Sequence, residues 1–139
     1  MPLFSSMKHA LAMVKPWCIY NAPQIFESLE GVATRLSTFD GLRLTPDALQ
    51  ILCYTQKEES SREAMIRDML GRKVAVAVYE VSNYAALTAR KDVLCQQFSH
   101  DIISHHQYMR TALHTSESIH EFSLDWQAMK SFFDSRILR

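Results

Sequence analysis

The sequence predicts an α+β fold, a four-stranded antiparallel sheet covered by helices. Three observations carry that expectation. Short apolar segments of strand character alternate with segments whose apolar residues recur every three or four positions. Proline and glycine punctuate the boundaries between them. One segment, VAVAVYEV (Val74–Val81), is apolar almost without interruption, as a strand buried on both faces must be.

The elements follow in order. His9–Val14 (HALAMV) suits a strand and stops at Lys15-Pro16, where proline disfavours further pairing. Pro23 opens a helix whose buried face is Ile25, Phe26, Leu29, Val32, Ala33 and Leu36. Gly41–Thr45 reads as a short strand. Thr45-Pro46-Asp47 then combines a hydroxyl cap, proline at the first helical position and an acid near the positive dipole end, and the helix closes near Tyr54. Ser60-Ser61 caps a second helix that Gly71 ends. After the strand at Val74–Val81, Ser82-Asn83 introduces a helix over AALTARKDVLCQQF. Residues Ser99–Tyr108 read as a polar, histidine-rich loop, Arg110–Leu113 as a short strand, and Ile119–Phe133 as a last helix. The order β-α-β-α-α-β-α-β-α is satisfied by a ferredoxin-like sheet with helices packed over it.

Composition bounds the function. A chain of 139 residues, 47% hydrophobic, is sized for one domain over residues 1–139, with its core at about 8–133. Fifteen basic residues balance fifteen acidic ones, so no overall field recruits nucleic acid or a membrane surface. MPLFSSM is too short, and lacks the basic flank, for a secretion signal. Cys18, Cys53 and Cys95 are odd in number and widely spaced, which fits reduced thiols in a cytoplasmic protein rather than a disulfide framework or a zinc knuckle.

LHTSES (Leu113–Ser118) is the stretch richest in chemistry. Ser118-Ile-His-Glu121 is a capping-box pattern, so the segment reads first as the lead-in to a helix with Phe122, Trp126, Met129 and Phe133 on its apolar stripe. It also reads as a phosphate-accepting site. His114 would stand just outside a helix N-terminus, Ser116 and Ser118 would donate to phosphate oxygens, and Glu117 or Glu121 would orient the imidazole. A nucleophilic histidine must be neutral, attacking through one ring nitrogen while the other keeps its proton. Lys15 is either a solvated lysine or a fixed ammonium at a strand end. Tyr54 is either a core aromatic or a phosphate donor. Arg90 is either a surface charge or a fork for phosphate oxygens. His100, Asp101, His105 and His106 are ligand types without metal-site spacing, and no matching pair lies elsewhere, so no metal is expected from protein side chains.

Taken together, AMVKP, YTQK, ALTARKDVL and MRTALHTSES, in this order and with these gaps, resemble the nucleoside diphosphate kinase family over roughly Lys8 to Phe133. The family pattern runs IKPD, YxxH, R-x-L-M-G, N-x-x-H-G-S-D-S. The resemblance implies that family's fold and ping-pong phosphoryl transfer between nucleoside tri- and diphosphates, ATP among them. His114 would carry the phosphate, with Ser116 beside it. Lys15, Tyr54 and Arg90 would hold phosphates, and Mg2+ would arrive with the nucleotide. A homo-oligomer is implied.

The departures are specific. Trp17 replaces the aspartate of KPD, Lys57 the histidine of YxxH, and Thr115 the glycine after the histidine. Thr111 stands at the family asparagine. The loop before it is several residues shorter, which argues for a dimer over a hexamer. The second phosphate-binding arginine is displaced, and an ungapped count back from His114 puts Asp101 at its place. Arg110 is the neighbouring cation, and Arg110 and Thr111 join the nucleotide-binding set. The glutamate that supports the histidine in the family matches Asp125 if the last helix keeps its register; Glu117 is the other candidate. The base slot falls near Arg62. Two functions follow: a divergent kinase working through His114, or a catalytically weak member acting in nucleotide binding or protein interaction.

Overall fold

Strand pairing in this chain begins at its first described residue. The computed structural model describes residues 8–99 and 112–137. Within them β1 spans Lys8–Val14, α1 Ala22–Leu29, β2 Thr34–Arg43, α2 Pro46–Leu52, α3 Glu59–Met69, β3 Lys73–Val81, α4 Tyr84–Ser99, β4 Leu113–Thr115 and α5 Ile119–Ile137. Two 3-10 turns, Pro16–Asn21 and Cys53–Thr55, lead into α1 and continue α2. The sheet order is β2-β3-β1-β4, with every neighbouring pair antiparallel. The expected α+β, four-stranded, ferredoxin-like class is the one observed.

Side chains on a strand point alternately to its two faces, and β1 and β3 use both. Ala10, Ala12, Val14, Ala75, Ala77, Tyr79 and Val81 meet Ile25, Phe26, Leu29, Leu87 and Leu94 of α1 and α4. Leu11, Met13, Val74, Val76 and Val78 meet α2, α3 and α5 through Leu49, Leu52, Met65, Met69 and Met129. The sheet is therefore the middle of three layers. Each large aliphatic side chain buried here contributes about 1.5–3 kcal/mol. Tyr79 is fully buried, and its hydroxyl donates to the Phe26 carbonyl at 2.9 Å.

Several boundaries differ from expectation. The helix after Pro23 ends at Leu29 rather than at Leu36, with Val32 N–H closing a turn onto the Leu29 carbonyl. Val32, Ala33 and Leu36 only prolong the helical spacing by coincidence. From Thr34 the chain alternates exposed and half-buried residues as the edge strand β2, and Leu36 is 51% exposed. The strand expected at Gly41–Thr45 is the end of that longer one. Gly41 sits at φ 68°, where the β2–β3 register slips between Phe39 and Leu42.

Caps behave as their chemistry dictates, with one exception. Thr45 Oγ1 accepts from Ala48 N–H (3.2 Å), Asn83 Oδ1 from Ala85 N–H (2.8 Å) and Ser118 Oγ from Glu121 N–H (3.1 Å). Ser60 and Ser61 are not the cap of α3, because that helix already starts at Glu59. Among the described residues the last strand is Leu113–Thr115, which meets the expected Arg110–Leu113 at Leu113, and α5 runs on to Ile137. Ser99 ends α4, and the rest of the histidine-rich segment lies outside the described residues, as do Arg110 and Thr111. Cys18, Cys53 and Cys95 are all free thiols. Among the described residues, no helix is long and apolar enough to cross a membrane.

Candidate functional site

β4 is three residues long, and its register decides where His114 points. Leu113 pairs with Val14 and packs toward α1 and α4. One residue on, His114 pairs with Met13 and faces the opposite layer, that of α2, α3 and α5. His114 is thus a strand residue, not the residue immediately before a helix. Its ring reaches the turn that ends α2 and the second turn of α5.

Asp125 of α5 is fully buried and gathers three partners. Its Oδ2 lies 2.9 Å from His114 Nε2 and accepts from Ser116 Oγ at 2.7 Å. Its Oδ1 accepts from the Tyr54 hydroxyl at 2.7 Å. That hydroxyl also lies 3.2 Å from His114 Nε2. A buried carboxylate with three donors on its two oxygens is satisfied, and it requires the proton of a neutral His114 on Nε2. Burial, then the charge of Asp125 and the hydrogen bond to it, push the Tyr54 phenol far above its ordinary range. Tyr54 is therefore a permanent donor.

Ser116, also fully buried, joins this group to the sheet. Its N–H donates to the Leu11 carbonyl at 3.0 Å, and its Oγ accepts from Leu11 N–H at 3.0 Å. The side chain so continues the β1–β4 ladder one step past the strand and presents its proton to Asp125. Next along the chain, Ser118 caps α5, and Glu117 N–H donates to Glu121 Oε1 (3.1 Å), nearly the capping box expected.

His114 borders a cavity of about 30 Å³ with Met13, Lys15, Leu52, Thr55, Met65 and Met69. Lys15 is only 7% exposed. Desolvation lowers its pKa to about 8, aided by the charge of Lys91 and opposed by the thiols of Cys95 and Cys18. Its ammonium lies 5.9 Å from the centroid of the Trp17 ring, and the Arg72 guanidinium carbon lies 6.0 Å from the same centroid. Trp17 thus places two cations around one ring where the family pattern has an acid. A wider hollow of about 410 Å³ opens on the outer side of Tyr54, lined by Gln50, Cys53, Gln56, Lys57 and Arg62. Arg62 is held there by donating to the carbonyls of Gln56 (2.8 Å) and Lys57 (2.9 Å).

The structure thus brings together His114, Ser116, Tyr54, Asp125 and Lys15. Arg90 is elsewhere: its guanidinium donates to Ser28 Oγ (3.5 Å) on α1, in the layer across the sheet from the imidazole. Glu117 pairs instead with Lys91 Nζ at 3.6 Å. Lys91 was not among the residues expected here. A one-residue step on a helix rotates a side chain by about 100°, and the sequence signal that would have found Lys91 is its adjacency to Arg90. Among the described residues no group of three or more His, Cys, Asp or Glu could hold a metal ion, and His100, Asp101, His105 and His106 lie outside them.

Solved structures share this backbone. The nucleoside diphosphate kinase of Aquifex aeolicus superposes with a TM-score of 0.63 at 17% identity, covering 88% of this chain and 94% of its own. That of Borrelia burgdorferi, a transition-state mimic with bound vanadate and ADP, gives 0.66 at 13% identity over 89% and 87%. A nucleoside diphosphate kinase family protein from Babesia bovis gives 0.63 at 14% identity over 87% and 86%. The fold is that of the nucleoside diphosphate kinases. No protein-family model matches the sequence, and no curated protein matches it. At 13–17% identity the nucleoside diphosphate kinase likeness is one of backbone, so any chemistry rests on the side chains described above.

Proposed function

We propose that the protein is a phosphotransferase of the nucleoside diphosphate kinase type, with His114 as the residue that carries the phosphate. The observation that supports this best is the His114–Asp125–Ser116–Tyr54 network, which engages Nε2 and leaves Nδ1 for chemistry. In the reaction, the Nδ1 lone pair attacks the γ-phosphorus of a nucleoside triphosphate as the bond to the β-bridging oxygen breaks. A nucleoside diphosphate leaves, and an acceptor diphosphate reverses the step. As Nδ1 bonds to phosphorus the ring becomes cationic, and the Asp125 carboxylate on Nε2–H stabilises that charge at a fixed position.

Lys15 would neutralise the transferring phosphate, and its burial strengthens the attraction. The hollow between Tyr54 and Arg62 is the nucleoside pocket on this reading, with the guanidinium as a stacking surface. ATP and other nucleoside di- and triphosphates are the substrates, Mg2+ comes bound to them, and a homodimer is the working form. Arg110 and Thr111 complete the proposed nucleotide-binding set. The position of Arg90 favours a second reading, a nucleotide-binding module that turns over slowly or not at all.

Incubation with γ-labelled ATP and magnesium separates the two. The kinase predicts an acid-labile, base-stable label that is absent from His114→Ala. No label at saturating ATP, with ADP binding still measurable, would establish the binding module instead.

A further inference from the structure

Lys91 and Glu117 come from α4 and from the segment that joins β4 to α5, and the kinase pattern gives Lys91 no role. Lys91 Nζ lies 3.6 Å from Glu117 Oε1, with the lysine side chain 19% exposed and the glutamate 43%. Glu117 follows His114 by three residues and directly follows Ser116, which is bonded to the same carboxylate oxygen as the imidazole. The charge of Lys91 also acts on Lys15, the ammonium that borders the same cavity as His114. Two ammonium groups near enough to disfavour each other's charge form a site that an anion relieves.

Resting on the phosphotransfer reading above, we propose that Lys91 is a second phosphate-binding cation of this site. The Glu117 carboxylate holds it in the unliganded protein until a nucleotide phosphate replaces the carboxylate. A partly exposed pair of this kind is worth only about 0–1 kcal/mol, so exchanging one anionic acceptor for a more highly charged one costs little. The ammonium is a compact charge on a flexible four-carbon stem, suited to follow a phosphate that arrives and leaves. Arg90, one position earlier, is directed at Ser28 and leaves this role open.

MgADP affinity is the measurement that decides the matter, taken on the full-length wild type and on Lys91→Gln, Lys91→Arg, Glu117→Gln and Lys130→Gln. Lys130 is an exposed lysine on α5 and controls for loss of one positive charge. Lys91→Gln is expected to weaken MgADP binding about tenfold or more, the effect of removing one charge-assisted hydrogen bond. Lys91→Arg should recover most of it, Lys130→Gln should match the wild type, and Glu117→Gln should bind more tightly because the competing carboxylate is gone. A lysine that merely braces Glu117 predicts the reverse pattern, with Lys91→Gln and Glu117→Gln lowering thermal stability together and leaving affinity unchanged. That result overturns the proposal. Labelling of His114 is scored separately. A protein that binds MgADP through Lys91 but never labels refutes the kinase and supports the cation, whereas a wild type that binds no MgADP overturns both.

Discussion

Lys15→Met is expected to make the protein more stable and less functional. Lys15 is 7% exposed, and burial takes its pKa from the ordinary 10.5 to about 8. The unfolded chain keeps this proton up to about 10.5 and the folded chain releases it near 8. Between those values the unfolded state binds more protons, so this residue makes stability rise with pH. Below pH 8 the full cost of a buried charge is present, about 3 kcal/mol for that difference. Methionine keeps the unbranched stem and removes the charge. Loss of the cation–π contact with Trp17 offsets about 0.5–1 kcal/mol of that cost, and the variant is expected to be the more stable protein at pH 7. Urea unfolding of both proteins from pH 7 to pH 10.5 checks this, because every other titrating group is common to the two and cancels in the difference. The gap should be widest at pH 7 and close toward pH 10.5, while MgADP binding by the variant is lost at every pH. A variant destabilised at pH 7, or a gap independent of pH, refutes the reasoning.

Two further outcomes follow from the buried polar groups. Asp125→Ala leaves the donors of Tyr54, Ser116 and His114 without their shared acceptor, and should cost about 3 kcal/mol or more in urea unfolding, together with phosphate labelling of His114. Thr115 Oγ1 is buried and has no hydrogen-bond partner among the described residues. Thr115→Val keeps the shape and removes that oxygen, and should raise stability by about 1 kcal/mol, read as an increase in the urea midpoint at unchanged slope.

What could be read from the sequence, and what could not, divides by the range of the forces involved. The start of α2 was legible because Thr45, Pro46 and Asp47 act on their own backbone. β3 was legible because a strand covered on both sides needs no alternation. Asp125 entered only through the family resemblance and on condition that the last helix kept its register, a register that the Ser118 cap at the start of α5 sets. β2 was misread because an edge strand is half exposed, and its few apolar residues continued the spacing of α1. The choice between Arg90 and Lys91 lay beyond the sequence for a different reason. α4 carries no dominant apolar stripe, so its rotation about its own axis is set by the layers it packs against. Trp17 with its two cations was hidden in the same way, since Arg72 reaches it from the turn between α3 and β3.

Ser116 bonds the interior strand β1 and the carboxylate of α5 at once. The parts that aim the imidazole are therefore also parts that hold the chain together, and a descendant relieved of all chemical duty would still be selected to keep Ser116 and Asp125. Lys15 is under the opposite pressure. A buried ammonium that lowers stability would be among the first residues such a descendant shed. In this chain the lysine, rather than the serine or the aspartate, is the residue whose presence speaks for use.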